Sequence, residues 1–279
     1  MRVLIVSDIH ANWAALSAIN ESYDVCLCLG DLVDYGPEPA PCVRWVMQNA
    51  RHAIRGNHDH GVAQGIPVSG EYGYRYLTQV TRPAMWEALG QEERRFLLQL
   101  PVTRRFTLGS RRFLLVHATP RDPLDEYLMR TRTPGPSGCK TSRPTSFASV
   151  IRHLQFNLAL GGTVVLNPGS VGQPRDGDPR AAYAMIDDNR IELKRIEYDV
   201  DRTIAGVERS DLPDRAKQLL IHSYRHGRLP DGYKPGAARN GSASARPAPR
   251  RLGNGKGTGD TASGNGEPVV IETEADDES

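Results

Sequence analysis

Short apolar runs recur along the first half of the chain, and each stops on a cluster of polar residues. Val3-Leu4-Ile5-Val6-Ser7 ends at Asp8-Ile9-His10, and Val25-Cys26-Leu27-Cys28-Leu29 ends at Gly30-Asp31. Ala53-Ile54-Arg55 leads into Gly56-Asn57-His58-Asp59-His60, and Phe113-Leu114-Leu115-Val116 meets His117. Runs that lack polar alternation read as strands buried on both faces, as in a parallel sheet. Such a sheet offers its functional groups at the carboxyl ends of its strands.

The segments between follow the same α/β logic. Ala11 to about Ser22 reads as an amphipathic helix, and the resulting βαβ unit puts Asp8 and Asp31 on adjacent strand ends. Pro41 to Asn49 carries Val43, Val46 and Met47 at helical spacing. The pattern from Tyr72 to Leu100 is helical, with Gly90-Gln91-Glu92-Glu93 opening a helix that Pro101 closes. Phe106 to Val116 reads as a hairpin, and Val164-Val165-Leu166 as a strand running into Asn167-Pro168-Gly169-Ser170. Ala182 to Ile186 and Ile191 to Ile196 form a closing hairpin, followed by a helical segment from Val200 to about Arg228. Gly61 to Tyr74 and Arg121 to Met129 are irregular and read as pocket-shaping loops. From Pro235 the composition turns to Gly, Ser, Ala, Arg and Pro, then to an acidic end. The expectation is one domain over 1–230 and a disordered tail over 235–279.

Composition narrows this picture rather than changing it. The chain of 279 residues suits a single large α/β domain. A net charge of +2 gives no electrostatic reason to expect nucleic acid or an anionic membrane as partner. The start reaches Asp8 too soon for a signal peptide, and no apolar run approaches membrane-spanning length. A cytoplasmic protein with a small-molecule substrate is expected, its oligomeric state left open. Of four cysteines, Cys42 and Cys139 stand alone. Cys26 and Cys28 are expected as buried small hydrophobes on opposite faces of their strand, so no disulfide or zinc framework is indicated.

The strand-end residues carry the chemistry: Asp8, His10, Asp31, Asn57, His58 and His117. Taken singly each has a plain reading, His10 as a helix-start polar residue, Asn57 as a turn residue, and His60 as solvent-exposed. Their recurrence at successive strand ends points instead to a metal site. Imidazole, carboxylate and amide oxygen together suit manganese, iron or zinc. With one shared carboxylate, such a set holds a metal pair about 3.5–4 Å apart.

Asp8-Ile9-His10, Gly30-Asp31-Leu32-Val33-Asp34-Tyr35-Gly36, Gly56-Asn57-His58-Asp59 and His117 resemble the calcineurin-like metallophosphoesterase superfamily. The run from Asn167 to Asp176 is similar to its small bacterial and archaeal phosphodiesterase branch. The resemblance covers about residues 1–200. It implies an α/β, four-layer αββα sandwich: two mixed β-sheets flanked by helices. It implies two divalent ions, manganese first and iron, zinc, nickel or magnesium after it. A hydroxide held on the metals would be the nucleophile. Asp8 and His10 would bind the first metal, Asp31 would bridge, and Asn57 and His117 would bind the second. His58 would protonate the leaving oxygen or stabilise the phosphoryl oxygens, with Asp34 orienting its ring. Arg175 reads either as a phosphate contact or as a loop surface charge. The implied activity is phosphodiester or phosphomonoester hydrolysis on a small or nucleotide-like substrate. One alternative is a protein serine/threonine phosphatase, but members acting on phosphoserine carry Arg where this chain has Tyr35. Another is an impaired phosphate-binding module.

One stretch departs from the pattern. The family closes its site with Gly-His-Thr-His, one histidine for each metal; this chain has Val150-Ile151-Arg152-His153. His153 matches the last ligand and Ile151 stands at the other. Upstream, Arg130 to Ser149 lacks hydrophobic periodicity where a helix and a buried strand belong. Out-of-frame translation over this stretch (130–152), bounded by two compensating one-base changes, accounts for both. With suitable third bases, Lys140 to Ile151 becomes Gln-Asp-Val-Glu-Ala-Asp-Phe-Val-Cys-Val-Gly-His, and Thr-His follows. The other reading is a genuine departure that leaves the second metal with Asp31, Asn57, His117 and water.

Overall fold

A computed structural model of the chain describes residues 1–125, the backbone of 145–149, 153–188 and 190–232. Residues 126–144, 150–152, 189 and 233–279 lie outside the described part. With them lie Cys139, Ile151, most of the anomalous stretch and the expected tail.

The first sheet has the order β10-β9-β1-β2-β3. It is built from β1 (Arg2–Val6), β2 (Val25–Cys28), β3 (Ala50–Ala53), β9 (Ala181–Asp187) and β10 (Arg190–Ile196). β1, β2 and β3 are parallel, and the β9–β10 hairpin closes one edge antiparallel. The second sheet has the order β4-β5-β6-β8-β7. Its strands are β4 (Thr103–Leu108), β5 (Arg111–Val116), β6 (Thr145–Ser149), β7 (Phe156–Leu160) and β8 (Thr163–Asn167). Here β5, β6 and β8 are parallel and the outer strands antiparallel. Both sheets are therefore mixed: the parallel trio fills one side of the first sheet and the centre of the second.

Because alternate residues face opposite ways on a strand, each strand of the first sheet serves two cores. Val3, Ile5, Val25, Leu27 and Leu29 meet Phe113, Leu115 and Leu166 of the second sheet in a buried layer between the sheets. Leu4, Val6, Cys26 and Cys28 face the other way, towards the helices. The helices are α1 (Trp13–Ser17), α2 (Pro39–Asn49), α3 (Asn57–Ala63), α4 (Gly73–Ala88), α5 (Gln91–Gln99), α6 (Val200–Arg209) and α7 (Asp214–His226). Residues of α1, α2, α3 and α5, with Met85 of α4, join that helix-side core, while the Leu77 end of α4 shares a third cluster around Tyr35 with α6 and α7.

Several boundaries differ from the sequence reading. Cys26 and Cys28 share the helix-side face, as residues two apart on a strand must, which corrects their expected placement on opposite faces. α1 is only five residues long; the Ser17 hydroxyl turns back onto the Ala14 carbonyl and competes with the next helical turn. β3 starts three residues earlier than expected; Ile54 N still donates to Cys28 O, and the chain then turns away, with Arg55 N donating to Pro101 O. The 200–228 segment is two helices, with Pro213 at the start of the second. β7 is an edge strand that the reading left out. β6 occupies the middle of the second sheet although its residues show no strand pattern.

Candidate metal centre

The six parallel strands point their carboxyl ends to one side, and the chain bends sharply as it leaves them. Asp8, His10, Asp31, Asp34, Tyr35 and His153 all adopt positive φ. For non-glycine residues this costs about 1–3 kcal/mol each and persists only where surrounding contacts enforce it. Those contacts are visible. Asp8 N donates to Gly30 O and His10 N to Asp31 O, stitching the tip of β1 to that of β2. The tip of β3 comes equally close: a Cβ on Gly30 would stand 2.4 Å from Gly56 N, and one on Gly56 would stand 2.0 Å from Asp31 Oδ1. Only glycine at both positions lets these strand ends meet.

Into this space the sequence-selected residues converge. His117 Nε2 lies 3.2 Å from Asp31 Oδ2 and 3.2 Å from Asn57 Oδ1. His10 Nε2 lies 3.7 Å from Asp8 Oδ1 and 3.8 Å from Asp31 Oδ2. His153 Nε2 lies 3.4 Å from Asp8 Oδ1, with its ring stacked on His10. Asp31 is thus shared by a group containing Asp8 and His117 and a group containing His10 and His58, while Asp8, His10 and His153 form a third.

The ring anchors separate two kinds of histidine. Nδ1 of His10 donates to Val33 O, that of His117 to Leu29 O, and that of His153 to Gln173 O. A neutral carbonyl on Nδ1 fixes the tautomer that leaves an Nε2 lone pair facing the centre, as metal-binding histidines require. His58 is held differently. Its Nδ1 is 2.7 Å from Asp34 Oδ2, a buried carboxylate, and its Nε2 lies 4.0 Å from Asp31 Oδ2. A carboxylate on Nδ1 fixes the ring's tautomer and turns Nε2 towards the centre.

Electrostatics and unmet hydrogen bonding both fit a cation. Asp8 Oδ2 and His10 Nε2 are buried without a hydrogen-bond partner. Burial, together with Asp31, pushes the Asp8 carboxyl up to about 7. Burial also opposes ionisation of Asp31, but the facing imidazoles of His117 and His58 hold it well below the usual range. Burial alone would lower His117, yet Asp31 and Asp8 lift it to about 10. Burial keeps His10 and His153 well below the ordinary imidazole value, helped by the charges of His58 and Arg175 respectively. Two buried carboxylates, three imidazoles presenting Nε2 and an amide oxygen form a donor set suited to divalent ions.

Arg175 is half-buried beside this set, its guanidinium 3.8 Å over the Tyr74 ring and 5.7 Å from that of Tyr35. The reading as a plain surface charge does not fit, since its charge bears on Asp8, His10 and His153. His60, expected in solvent, is half-buried in α3 with a buried Nδ1. The sequence reading missed several supports. Asp59 accepts from the amides of Asp31, Leu32 and Gly56 and so holds the β2 and β3 tips together. Its signal was its place three residues after Gly56, at the start of a helix. Ser170 donates to Asp8 O and accepts from Gln173 N, and Asn12 donates to Gly172 O. The Asn167–Gln173 loop thereby clasps the end of β1 and supplies the carbonyl that anchors His153. Arg82 donates twice to Asp34 Oδ2, and nothing local in the sequence pointed to it.

Comparison with known proteins gives a family match and three extended likenesses. Residues 1–189 match the description "Calcineurin-like phosphoesterase superfamily domain". An uncharacterized protein of Methanocaldococcus jannaschii is 28% identical over 242 residues, spanning 78% of this chain and 97% of that protein. The crystal structure of a metallophosphoesterase from Sphaerobacter thermophilus superposes with a TM-score of 0.63 at 28% identity, over 81% of this chain and 100% of the other. A hypothetical protein from Pyrococcus horikoshii superposes with a TM-score of 0.65 over 82% and 99%, and at 20% identity the likeness is one of fold.

Proposed function

The chain belongs to the calcineurin-like phosphoesterase superfamily, and on that premise we propose that it hydrolyses phosphodiesters or phosphomonoesters of small, nucleotide-like compounds at a dinuclear centre. Asp8, His10 and His153 would hold one divalent ion, Asn57 and His117 the other, with Asp31 between them. Bound there, two such ions supply a water ionised near neutral pH and charge to offset the phosphoryl oxygens. Manganese suits the mixed nitrogen and oxygen donors, and iron, zinc, nickel or magnesium are the other occupants to test.

The chain's own residues perform the remaining steps. Nδ1 of His58 stays bonded to Asp34, which leaves Nε2 to carry a proton towards the departing ester oxygen. Arg175, steadied by Tyr74, pairs with a phosphoryl oxygen. Tyr35 packs edge-on to His10, and its hydroxyl lies 3.4 Å from His58 Nε2, limiting the positions open to that ring. The observation that carries the reading is the contrast in ring anchors: three imidazoles fixed on carbonyls as ligands, one fixed on a carboxylate as an acid.

Manganese-supplemented assays on bis(p-nitrophenyl) phosphate and p-nitrophenyl phosphate test it. Turnover is expected on both, with His58→Ala retaining metal and losing about 10²–10⁴-fold in kcat on a matching alkyl ester, whose poorer leaving group needs the proton. Metal-loaded protein inert on both esters and on a wider phosphate-ester panel would overturn it.

The stretch 130–152 is part of the same reading: it is a compensated frameshift within the domain 1–230. β6 pairs in parallel with β5 and β8 on its two sides. A strand in that position calls for apolar residues, yet the chain has Thr145-Ser146-Phe147-Ala148-Ser149. The shifted frame supplies Asp-Phe-Val-Cys-Val at the same five positions, then a histidine at 151. Independent sequencing of the gene tests this. A verified in-frame reading without the shifted motif ends it, and the chain as it stands would then bind its second ion more weakly than its first.

A further inference from the structure

The acid assigned to His58 depends on Asp34, and Asp34 itself is held from a distant helix. Oδ2 of Asp34 accepts from three directions: His58 Nδ1 at 2.7 Å, Arg82 Nη2 at 2.7 Å and Arg82 Nε at 3.1 Å. Arg82 belongs to α4, and its side chain is 12% exposed. Its remaining arm, Nη1, donates to Ile66 O, in the loop that follows α3. The guanidinium also lies against α3 itself. A Cβ on Gly61 would stand 2.1 Å from Nη1, so that position is open only because it is glycine. α3 is the helix that begins with Asn57 and His58. Arg82 therefore touches the helix bearing the acid, the loop after that helix, and the carboxylate that orients the acid.

We propose that Arg82 is a positioning residue for the reaction, completing a relay Arg82–Asp34–His58 that fixes which way the His58 ring faces. Without it, Asp34 would be a fully buried carboxylate held by a single ring N–H, free to rotate about its own side-chain bonds. A guanidinium donating through Nε and Nη2 to that one oxygen removes this freedom, because two converging N–H groups hold Oδ2 in their own plane. The carboxylate then presents one fixed lone pair to Nδ1, and Nε2 can only face the centre. A lysine would supply charge at one point without the plane. Arg82 acts solely through Asp34 and His58, so its contribution belongs to leaving-group protonation and not to substrate binding or metal retention.

The inference rests on the acid role given to His58, and the experiment separates the two. The full-length, metal-loaded protein is assayed on a p-nitrophenyl ester and on the matching alkyl ester, whose poorer leaving group needs the proton more. Arg82→Met is expected to lower kcat on the alkyl ester by roughly tenfold or more. It should leave kcat on the p-nitrophenyl ester within about threefold and KM on both little changed. Arg82→Lys should fall between. In a His58→Ala background, Arg82→Met should cost nothing further on the alkyl ester. A second readout needs no turnover: the His58 Nδ1–H proton resonance is expected to be sharp in the wild-type chain and to broaden or vanish in Arg82→Lys. Equal losses on both esters, or an undiminished loss in the His58→Ala background, would make Arg82 merely structural and overturn the proposal. So would an unchanged Nδ1–H signal. If wild-type protein hydrolyses neither ester, the functional reading fails instead; if it hydrolyses both and Arg82→Met equals it, only this inference fails.

Discussion

At Asp31 two demands on a buried carboxylate meet, since it must stay ionised away from water and stay open to a cation. Its Oδ1 is satisfied by His58 N at 2.9 Å, which leaves Oδ2 facing His10, His58 and His117. In the absence of metal, the charge is balanced by a proton on His117, whose pKa stands at about 10. A ligand imidazole must be neutral, so a divalent ion displaces that proton, together with the fraction held by Asp8 near 7. Manganese binding at about pH 7 should therefore release about one proton or more, and apparent affinity should rise with pH. Calorimetry in two buffers of different ionisation enthalpy reads this directly; zero proton release would contradict it. The stability of the metal-free protein runs the other way. His117 and Asp8 both have folded pKa values raised above those of the unfolded chain, so their contribution is full below the unfolded values and fades as pH climbs through about 7 and then about 10. Metal-free protein is expected to melt lower at about pH 8 than at about pH 6, and a flat profile would be against this.

Among the elements, the strands β1, β2 and β5 were legible because each has a short apolar run ending on polar residues, and those ends belong to the site. β6 was not, since hydrogen bonds to both neighbours hold it in place while its own residues lack the pattern. β7 and the shift of β3 escaped for a related reason: strand boundaries are set by where neighbours pair, which local hydrophobicity does not record. Most ligands could be found from the sequence because they stand where apolar runs end, Asp31 and Asn57 directly after a glycine. Arg82 and Asn12 could not, since their partners stand far away along the chain and only the fold brings them near. The closeness of the strand tips gives a prediction at this scale. Gly56→Ala places a methyl against Asp31, and overpacking of this kind costs about 1–3 kcal/mol. It should also weaken manganese binding about tenfold or more, a loss of roughly 1.4 kcal/mol. Wild-type affinity in that variant would show that the Gly30–Gly56 approach does not hold Asp31 in place.

For the whole molecule, the layer between the two sheets is what brings His117 and His153 over Asp8 and Asp31, which belong to the other sheet. Leu27, fully buried in that layer, is expected to cost about 2–5 kcal/mol on truncation to alanine, seen as a lower denaturant midpoint. The family fold was legible from residues 1–60 and 167–176; the helix-side third cluster around Tyr35 was not, because it is formed by faces of α4, α6 and α7 that look like ordinary amphipathic helices. No helix among the described residues is long and apolar enough to cross a membrane. The most direct test of the central claim is anomalous diffraction from crystals of the full chain grown with manganese. The account predicts metal peaks flanking the Asp31 carboxylate, one within coordination distance of Asp8, His10 and His153 and one beside Asn57 and His117. Manganese bound elsewhere on the protein, with those side chains left unligated, would contradict it.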